Sequence, residues 1–432
     1  MLFEREQICP LSSPPLSTFY DCNILFIMCR MKEGKCMEIN VRSNDSLWYY
    51  SQLFDIPLIL IEKSNPRTIT NQLVIGEPIQ VPGYALHEYT VKKNDSLWKI
   101  AMLHNIPLDS LQLVNPSINP TALEVGQVIY LPQRINEIII SDRDNYTYEK
   151  MQNDLQRLQE IYPFIVSPTI GNSVMGKDLI ELQIGAGTKE VHLNGSFHAN
   201  EWITTPVIMQ FINQYVLSLT NKMPIRGVFT LPLFKDTMFS VVPMVNPDGV
   251  DLVLNGSEAA GQYQAEVLAI NHQSEDFSNW KANIRGVDLN NQYPAKWDIE
   301  AQRKPTSPAP RDYPGPYPLS EPEAIVMENL ARERNFSRMN AFHTQGEEIY
   351  WGFEGFEPPE SEIIVNEYAR VSGYQPVRYL DSYAGYKDWF IQEFHKPGFT
   401  VELGSGVNPL PIDQFPDIYE KSLGIMLANL YL

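Results

Sequence analysis

Apolar positions along the chain recur with two periods, one typical of helices and one typical of strands. Met151, Leu155, Leu158 and Ile161 lie at helical spacing before Pro163 ends the run. Similar helical spacing is found over residues 204–219, 321–334, 360–371 and 412–430. Strand-like runs cover residues 165–170, 178–184, 190–197, 239–245, 339–343 and 397–404. This alternation predicts an α/β sandwich with a mostly parallel or mixed central sheet, in which sites form at the carboxyl ends of strands.

Turn and loop signals separate these elements. Gly171-Asn172-Ser173 predicts a turn between two strands, and Asn246-Pro247-Asp248-Gly249 is a strong turn signal after the strand at 239–245. Residues 301–321 are rich in proline and polar side chains, and residues 345–362 are acidic and aromatic. Both stretches are predicted to be loops, the first of them at the rim of a cleft.

A repeat of 50 residues precedes the sandwich, because the motifs of residues 37–83 return at one offset in residues 87–133. The recurring motifs are Asn44–Trp48 with Asn94–Trp98, Ile56–Leu58 with Ile106–Leu108, and Asn65-Pro66 with Asn115-Pro116. In each unit a strand precedes an aspartate, Asp45 or Asp95, that is predicted to cap a short helix. A second helix ends near the Asn-Pro, since the residue before proline leaves the helical region. A closing strand follows, so each unit is predicted to be a β-α-α-β module.

The two units resemble LysM domains, which bind the N-acetylglucosamine-containing glycan of peptidoglycan or chitin. The Asp-Ser-Leu-Trp, Ile-Pro and Asn-Pro motifs carry the resemblance, together with the apolar residue and proline that close each unit. It implies sugar binding beside Asp45–Leu47 and Ile56–Leu58, and beside Asp95–Leu97 and Ile106–Leu108. Two weak sites on one chain would raise avidity without new contacts. The alternative is a pair of packing modules without a ligand.

Composition and charge limit the classes of partner. The chain of 432 residues has 33 basic and 52 acidic side chains, and its net charge of −19 argues against nucleic acid or an anionic membrane as the main partner. No apolar run has transmembrane length. All four cysteines, Cys9, Cys22, Cys29 and Cys36, precede the repeat, so the main body is not a disulfide-stapled fold.

Residues 1–36 differ from the rest of the chain and are predicted to be a disordered extension, or to precede a true start at Met31 or Met37. The apolar run Asn23–Met28 lacks a basic start and a convincing cleavage site, so a signal peptide is not indicated. Residues 134–145 are predicted to be a polar linker to a domain over residues 146–432. Two places of action are considered: the bacterial cytoplasm, where wall fragments would be the substrate, and the wall of a sporulating cell.

Histidine and glutamate residues stand at the ends of predicted strands. His198 and Glu201 follow the strand at 190–197, and His343 ends the strand at 339–343. Glu402 lies within the last apolar run, where a carboxylate is costly to bury unless it has a partner or a function. A catalytic Zn²⁺ needs three protein ligands and one open position. A lone His-x-x-Glu is common by chance, but its expected meeting with His343 at the strand ends favours a metal site.

Five motifs in chain order resemble the zinc carboxypeptidase family, which includes the pancreatic carboxypeptidases. They are His-Ala-Asn-Glu at 198–201, Asn-Pro-Asp-Gly at 246–249, Gly-Val-Asp-Leu-Asn at 286–290, Phe-His at 342–343 and Phe-Thr-Val-Glu-Leu at 399–403. With the LysM-like units, the resemblance is closest to bacterial γ-D-glutamyl-meso-diaminopimelate endopeptidases, which cut peptidoglycan stem peptides. It implies one Zn²⁺ ion held by His198, Glu201 and His343. Glu402 would be the general base that activates water and then the acid that protonates the leaving amine.

The resemblance also implies contacts with the substrate. Arg285 is the candidate cation for the developing oxyanion, and Asn290 matches the asparagine that binds a substrate carboxylate. A tyrosine that closes over the substrate is predicted to be Tyr383, with Tyr379 as its competitor.

Two positions depart from the family pattern. Exopeptidases of the family have arginine after the asparagine, a fork that binds the terminal carboxylate, whereas Asn291 follows Asn290 here and cannot form that bidentate pair. This difference predicts a substrate that continues beyond the cut. Lys387 lies where the family sets the specificity of the pocket beyond the scissile bond. A lysine there favours a side chain with a carboxylate, such as diaminopimelate, and the alternative for Lys387 is a surface cation.

The sequence therefore favours a peptidoglycan-binding zinc endopeptidase whose substrate is the stem peptide. A zinc carboxypeptidase of broader specificity and a non-catalytic glycan-binding protein are the alternatives. Asn291 disfavours the first of these. The full set of candidate ligands, together with Glu402, disfavours the second.

Overall fold

A computed structural model describes residues 37–68 and 72–432. The predictions made for residues 1–36 lie outside these described residues. The first repeat is a β-α-α-β unit that consists of β1 (Met37–Asn40), α1 (Leu47–Leu53), α2 (Leu58–Ser64) and β2 (Pro78–Val81). The second repeat consists of β3 (Tyr84–Thr90), α3 (Leu97–Leu103), α4 (Leu108–Leu113) and β4 (Val128–Arg134).

Serines begin the first helix of each repeat. The Oγ atoms of Ser46 and Ser96 each accept the backbone N–H three residues on, at 3.1 Å. The prediction that the preceding aspartates cap these helices is therefore wrong. Asp45 instead accepts the loop N–H of Arg42 at 3.0 Å, and Asp95 accepts that of Lys92 at 2.8 Å. Both residue types favour the cap position, and here the aspartates stabilise the loop before it.

A seven-stranded mixed sheet forms the centre of the C-terminal region. Its strands are β7 (Leu182–Gly185), β8 (Lys189–Asn194), β9 (Thr237–Val242), β10 (Phe336–His343), β11 (Glu348–Tyr350), β12 (Gln375–Val377) and β13 (Gly398–Glu402). Their spatial order is β12-β11-β13-β10-β8-β9-β7, and four of the six pairings are parallel. A separate antiparallel pair consists of β5 (Thr169–Asn172) and β6 (Asp178–Ile180). The predicted α/β class with its mostly parallel or mixed sheet is confirmed.

Helices cover both faces of this sheet. The helices of this region are α5 (Tyr148–Ile161), α6 (Thr204–Asn221), α7 (Thr230–Asp236), α8 (Pro247–Asn255), α9 (Gln264–Ile270), α10 (Trp297–Ala301), α11 (Pro322–Glu333), α12 (Glu360–Ser372), α13 (Tyr386–Phe394) and α14 (Phe415–Tyr431). Successive residues of β10 reach opposite faces, so Phe342 packs with α6 and α14 while Ala341 packs with α11 and α13. Among the described residues, no helix has the length and hydropathy needed to span a bilayer.

Two predicted turns have a different structure. The turn predicted at 246–249 is wrong, because Asn246 is the N-cap of α8, its side chain accepts the N–H of Gly249 at 3.1 Å, and Pro247 occupies the first helical position. Gly171 lies inside β5, and the turn comes later, where the Gly176 N–H donates to the carbonyl of Ser173 at 3.0 Å. Gly176 adopts a φ of 83°, which glycine reaches without steric cost.

The segment predicted as a polar linker is bound to the domain that follows it. The N–H groups of Ile139 and Ile140 donate to the side-chain oxygen of Asn213 in α6, at 2.8 and 3.0 Å. Ile140 is buried, and the Ile135 N–H donates to the carbonyl of Gly83 at 2.9 Å. The connection between the repeats and the sheet domain is therefore fixed along its length at several points.

Candidate active site

Three adjacent parallel strands bring the predicted site residues to one edge of the sheet. Strands β13, β10 and β8 are neighbours, and their carboxyl ends therefore lie together. His343 is the last residue of β10 and pairs in register with Glu402 at the end of β13. His198 follows β8 and precedes the 3₁₀ turn Ala199–Glu201, whose last residue is Glu201. Helix α6 then begins at Thr204, whose hydroxyl donates to the Glu201 carbonyl at 2.9 Å.

The side chains of His198, Glu201 and His343 converge at this edge. His198 Nδ1 lies 2.8 Å from Glu201 Oε1, His343 Nδ1 lies 2.9 Å from Glu201 Oε2, and the two Nδ1 atoms are 3.1 Å apart. All three side chains are buried, and their ligand atoms lie within 4.8 Å of one another. One small cation accepts electron pairs from all three groups, and two imidazoles with one carboxylate are a donor set that Zn²⁺ prefers.

Neighbouring groups hold these three side chains in place. His198 Nε2 lies 3.2 Å from Asp288 Oδ1, so a proton on Nε2 leaves Nδ1 with a lone pair directed at the other ligands. Glu201 Oε2 accepts the backbone N–H of Thr344 at 3.2 Å. Asn408 contacts the other oxygen of Glu201 from 3.5 Å and donates to the Thr344 carbonyl at 2.8 Å. Asp288 and Asn408 were not among the residues predicted from the sequence.

Burial and charge set the protonation states of the site. Burial lowers the pKa of His198, but Glu201 and then Asp288 raise it to about 9. Burial raises the pKa of Glu201, but the two imidazoles outweigh it and bring that pKa below its usual value. Burial and then the charge of Glu201 raise the pKa of Glu402 to about 8. Glu201 is thus a carboxylate, as a ligand must be, and a metal ion bound there would displace the second proton that the nearby carboxylates favour on His198.

Lys281 is the cation that the structure places beside these groups. Its Nζ lies 2.9 Å from Asp288 Oδ2, and its charge lowers the pKa values of both Glu402 and His198. Burial lowers the pKa of Lys281 itself, but Asp288 and Asp312 raise it above its usual value, so it stays charged. The sequence analysis missed Lys281, although a lysine between the apolar residues Trp280 and Ala282 was an available signal.

Arg285, the residue predicted to act on the oxyanion, lies four positions further on. Its guanidinium Nη1 is 3.6 Å from Glu321 Oε2, and 44% of its side chain is exposed. Burial opposes the charge of Arg285, but Glu321 and the Tyr263 hydroxyl raise its pKa above the usual value. The side chain of Arg285 therefore interacts with Glu321 and Tyr263. Its catalytic role stays a prediction.

Asn290 and Asn291 lie on the segment that also provides Asp288. The Asn290 side-chain oxygen accepts the N–H of Tyr386 at 3.0 Å, which joins this segment to the start of α13. Asn291 is buried, and its backbone N–H donates to the Asp288 carbonyl at 3.0 Å. Their predicted contacts with a substrate carboxylate stay predictions.

Lys387 is buried beside a cavity of about 510 Å³. Its Nζ donates to the carbonyl of Gly352 at 2.8 Å and lies 2.5 Å from Asp388 Oδ1. Gly352, Asp388 and Tyr383 are among the residues that line this cavity. The alternative that Lys387 is a surface cation is therefore wrong. Its ammonium group is neutralised by a carboxylate that faces the same cavity.

The two candidate tyrosines line this cavity but make different contacts. The ring of Tyr383 lies 4.9 Å from the Lys296 ammonium and 4.9 Å from the Arg303 guanidinium. The Tyr379 hydroxyl donates to Glu357 at 2.8 Å, and the residue is more than half exposed. The choice between them stays a prediction.

Comparison with known proteins agrees with this fold and site. Residues 151–423 match the zinc carboxypeptidase family, and residues 89–132 match the LysM domain family. The chain is 59% identical over 397 residues to gamma-D-glutamyl-L-diamino acid endopeptidase 1 of Lysinibacillus sphaericus, covering 92% of this chain and 100% of that protein. It is 46% identical over 302 residues to an uncharacterised protein of Bacillus subtilis, covering 69% of this chain and 80% of the other.

A solved structure shares the fold at lower identity. Bovine thrombin-activatable fibrinolysis inhibitor, solved with a tick carboxypeptidase inhibitor, aligns with a TM-score of 0.52 and 20% identity, covering 66% of this chain and 95% of that chain. The protein belongs to the zinc carboxypeptidase family and is a zinc metallopeptidase with a LysM domain at residues 89–132.

Proposed function

We propose that the protein is an endopeptidase that hydrolyses the γ-D-glutamyl–meso-diaminopimelate bond of peptidoglycan stem peptides. The convergence of His198, Glu201 and His343 beside Glu402 is the observation that supports catalysis. The full-length similarity to an endopeptidase named for a γ-D-glutamyl–L-diamino acid bond supports this bond as the target. The domain over residues 146–432 is the catalytic one, and the repeats at 37–83 and 87–133 precede it.

The chain's own residues supply most of the chemistry. Bound zinc, held by His198, Glu201 and His343, would polarise the scissile carbonyl and lower the pKa of a water molecule. Glu402 accepts the proton of the attacking water and then donates it to the leaving amine, a step typically worth about 10²–10⁴ in rate. Burial and Glu201 raise the pKa of Glu402, and a zinc ion bound beside it would lower that pKa and favour the carboxylate that accepts the proton of water.

Lys281 stabilises the negative charge that develops on the carbonyl oxygen. A fixed cation in a water-poor site does this at little reorganisation cost. We assign this role to Lys281 in preference to Arg285, because Lys281 lies 2.9 Å from the Asp288 that also holds His198. Asp288 thereby links the orientation of a ligand to the position of the cation.

Asn291 and the cavity beside Lys387 define the substrate. Asn291 is uncharged and buried, so it cannot grip a C-terminal carboxylate as an arginine fork does, and the peptide continues past the cut. The side chain of diaminopimelate ends in both an ammonium and a carboxylate. Asp388 lines the cavity and would face the ammonium of the substrate, and the buried Lys387, which is paired with Asp388, would favour the carboxylate of the substrate.

The repeats would bind the N-acetylglucosamine-containing glycan to which the stem peptides are attached. The match of residues 89–132 to the LysM family supports this partner. Both the glycan and the stem peptide belong to one polymer, so binding of the first would raise the local concentration of the second.

Mass spectrometry of the products tests the bond that is cut. The full chain, loaded with zinc, is incubated with the tetrapeptide L-Ala-γ-D-Glu-meso-diaminopimelyl-D-Ala. We expect L-Ala-γ-D-Glu and the dipeptide diaminopimelyl-D-Ala, and no products from Glu402→Gln. Release of D-Ala alone would indicate a carboxypeptidase of broader specificity. No cleavage by a zinc-loaded protein would contradict the enzyme assignment.

A further inference from the structure

The two repeats share a fold but differ in the surfaces that stay accessible. Equivalent residues lie 50 positions apart, and the Ile-Pro-Leu segment of the predicted sugar groove can be compared directly. Ile56 is 1% exposed and Leu58 is half-buried in the first repeat. In the second repeat Ile106 is half-buried and Leu108 is 37% exposed. The same sequence segment is thus covered in the first repeat and open in the second.

The second repeat contacts the first repeat at the side of its predicted sugar groove that is formed by the loop before α1. Arg42, which precedes Asp45 in the loop before α1, donates two hydrogen bonds to Asp109 of α4, at 2.8 and 2.7 Å. The Tyr49 hydroxyl donates to the same carboxylate. The counterparts of Arg42 and Tyr49 are Lys92 and Lys99, and both are exposed. The first repeat cannot make the equivalent contact with the second, because its counterpart of Asp109 is the apolar Ile59.

Residues that follow the first repeat close its remaining edge. The Phe54 carbonyl, next to the Ile-Pro-Leu segment, accepts the Tyr84 hydroxyl at 2.9 Å and the Arg134 guanidinium at 2.5 Å. Arg134 also donates to the carbonyl of Thr220 in α6 at 2.8 Å, and Asp55 pairs with Lys222. The apolar core of the first repeat is continuous with that of the catalytic domain. Most of the second repeat's core is separate, and only Leu113 and Val114 of its buried core residues join the shared core.

We propose that only the second repeat holds the glycan, and that the first repeat is a docking module that fixes the second to the catalytic domain. The inference rests on the proposed glycan binding and adds which repeat performs it. The second repeat matches the LysM family. Exposed Lys92, Lys93 and Lys99 surround its open loop, in a chain of net charge −19. These cations suit a strand of N-acetylated sugars that carries lactyl or peptide carboxylates.

Matched substitutions in the full chain separate the two repeats. Lys93→Gln and Ser43→Glu each lower the charge by one unit at equivalent exposed loop positions. Trp98→Ala and Trp48→Ala remove equivalent rings that are 63% and 62% exposed. The assay is co-sedimentation with peptidoglycan glycan strands from which the stem peptides have been removed, so that the catalytic cleft does not contribute. Cleavage of a free stem peptide by each variant checks that the fold is intact.

We expect both second-repeat substitutions to weaken glycan binding about ten-fold or more, and both first-repeat substitutions to change it less than two-fold. Isothermal titration of the wild-type chain with a hexamer of N-acetylglucosamine should give one site per chain. Equal losses from the two repeats, two equivalent sites, or full binding by both second-repeat variants would each overturn the inference. A wild-type chain that binds neither glycan strands nor the hexamer would instead refute glycan binding itself.

Discussion

Replacement of Lys281 by methionine removes the cation from the proposed active site while keeping the length of the side chain. The Nζ of Lys281 lies 2.9 Å from Asp288 Oδ2, a distance at which unit charges attract by about 6 kcal/mol in a medium of dielectric constant about 20. The substitution therefore has two costs. Loss of a preorganised oxyanion partner lowers kcat by about 10²–10³, and a buried carboxylate left without its cation lowers stability by about 3–5 kcal/mol.

Steady-state cleavage of the stem tetrapeptide, followed by mass spectrometry, measures the loss of kcat, and thermal unfolding measures the loss of stability. We expect Lys281→Met to lower kcat at least 100-fold at an unchanged zinc content, with a smaller change in KM. Lys281→Arg should recover most of the activity because it keeps the charge. The matched control is Arg285→Met, which should leave kcat within about three-fold. A loss in Arg285→Met that equals or exceeds the loss in Lys281→Met would refute the assignment.

Three further predictions concern other groups. Glu402→Gln should lower kcat by about 10³–10⁴ yet bind one equivalent of zinc by metal analysis, and loss of the metal would show that Glu402 is structural. Burial, with Asp248 and Glu321 nearby, raises the pKa of Glu323 to about 7. The protonated form therefore stabilises the folded protein fully below about pH 4, and this stabilisation is lost as the pH rises through 7. Chemical unfolding at pH 5 and pH 8 should show a loss of about 2–3 kcal/mol that is absent in Glu323→Gln, and equal losses would contradict this. Lys387→Leu should raise KM for diaminopimelate peptides more than for lysine peptides, and equal increases would discard the specificity proposal.

The metal-binding candidates could be predicted because their positions depend only on strand ends. His198 and His343 each follow an apolar run, and adjacent parallel strands necessarily bring such positions to one edge. Lys281 and Asp288 could not be placed in this way. Their meeting with His198 depends on how an irregular segment folds back, where the Ala199 N–H donates to the Lys281 carbonyl at 3.1 Å.

Local sequence motifs gave wrong predictions where the same residues occur in two kinds of local structure. Asn-Pro begins a helix at Asn246 although the same dipeptide is typical of turns. The Asn246 amide also donates to the carbonyls of Phe197 and Ala282, contacts that the local sequence does not reveal. The different exposure of the two repeats was also beyond the sequence. Their groove motifs are the same, and neighbours such as Asp109 and Arg134 decide which copy is covered.

The bound connection between the second repeat and the catalytic domain has a consequence for how a wall polymer is processed. A flexible tether would let the enzyme sample many stem peptides around one anchoring point, over a range set by tether length. Here Ile135, Ile139 and Ile140 are fixed by hydrogen bonds to Gly83 and Asn213, so the distance between the second repeat and the active site is fixed. If the second repeat grips the strand, cuts should recur at regular intervals along it, wherever a stem peptide has the matching spacing and orientation.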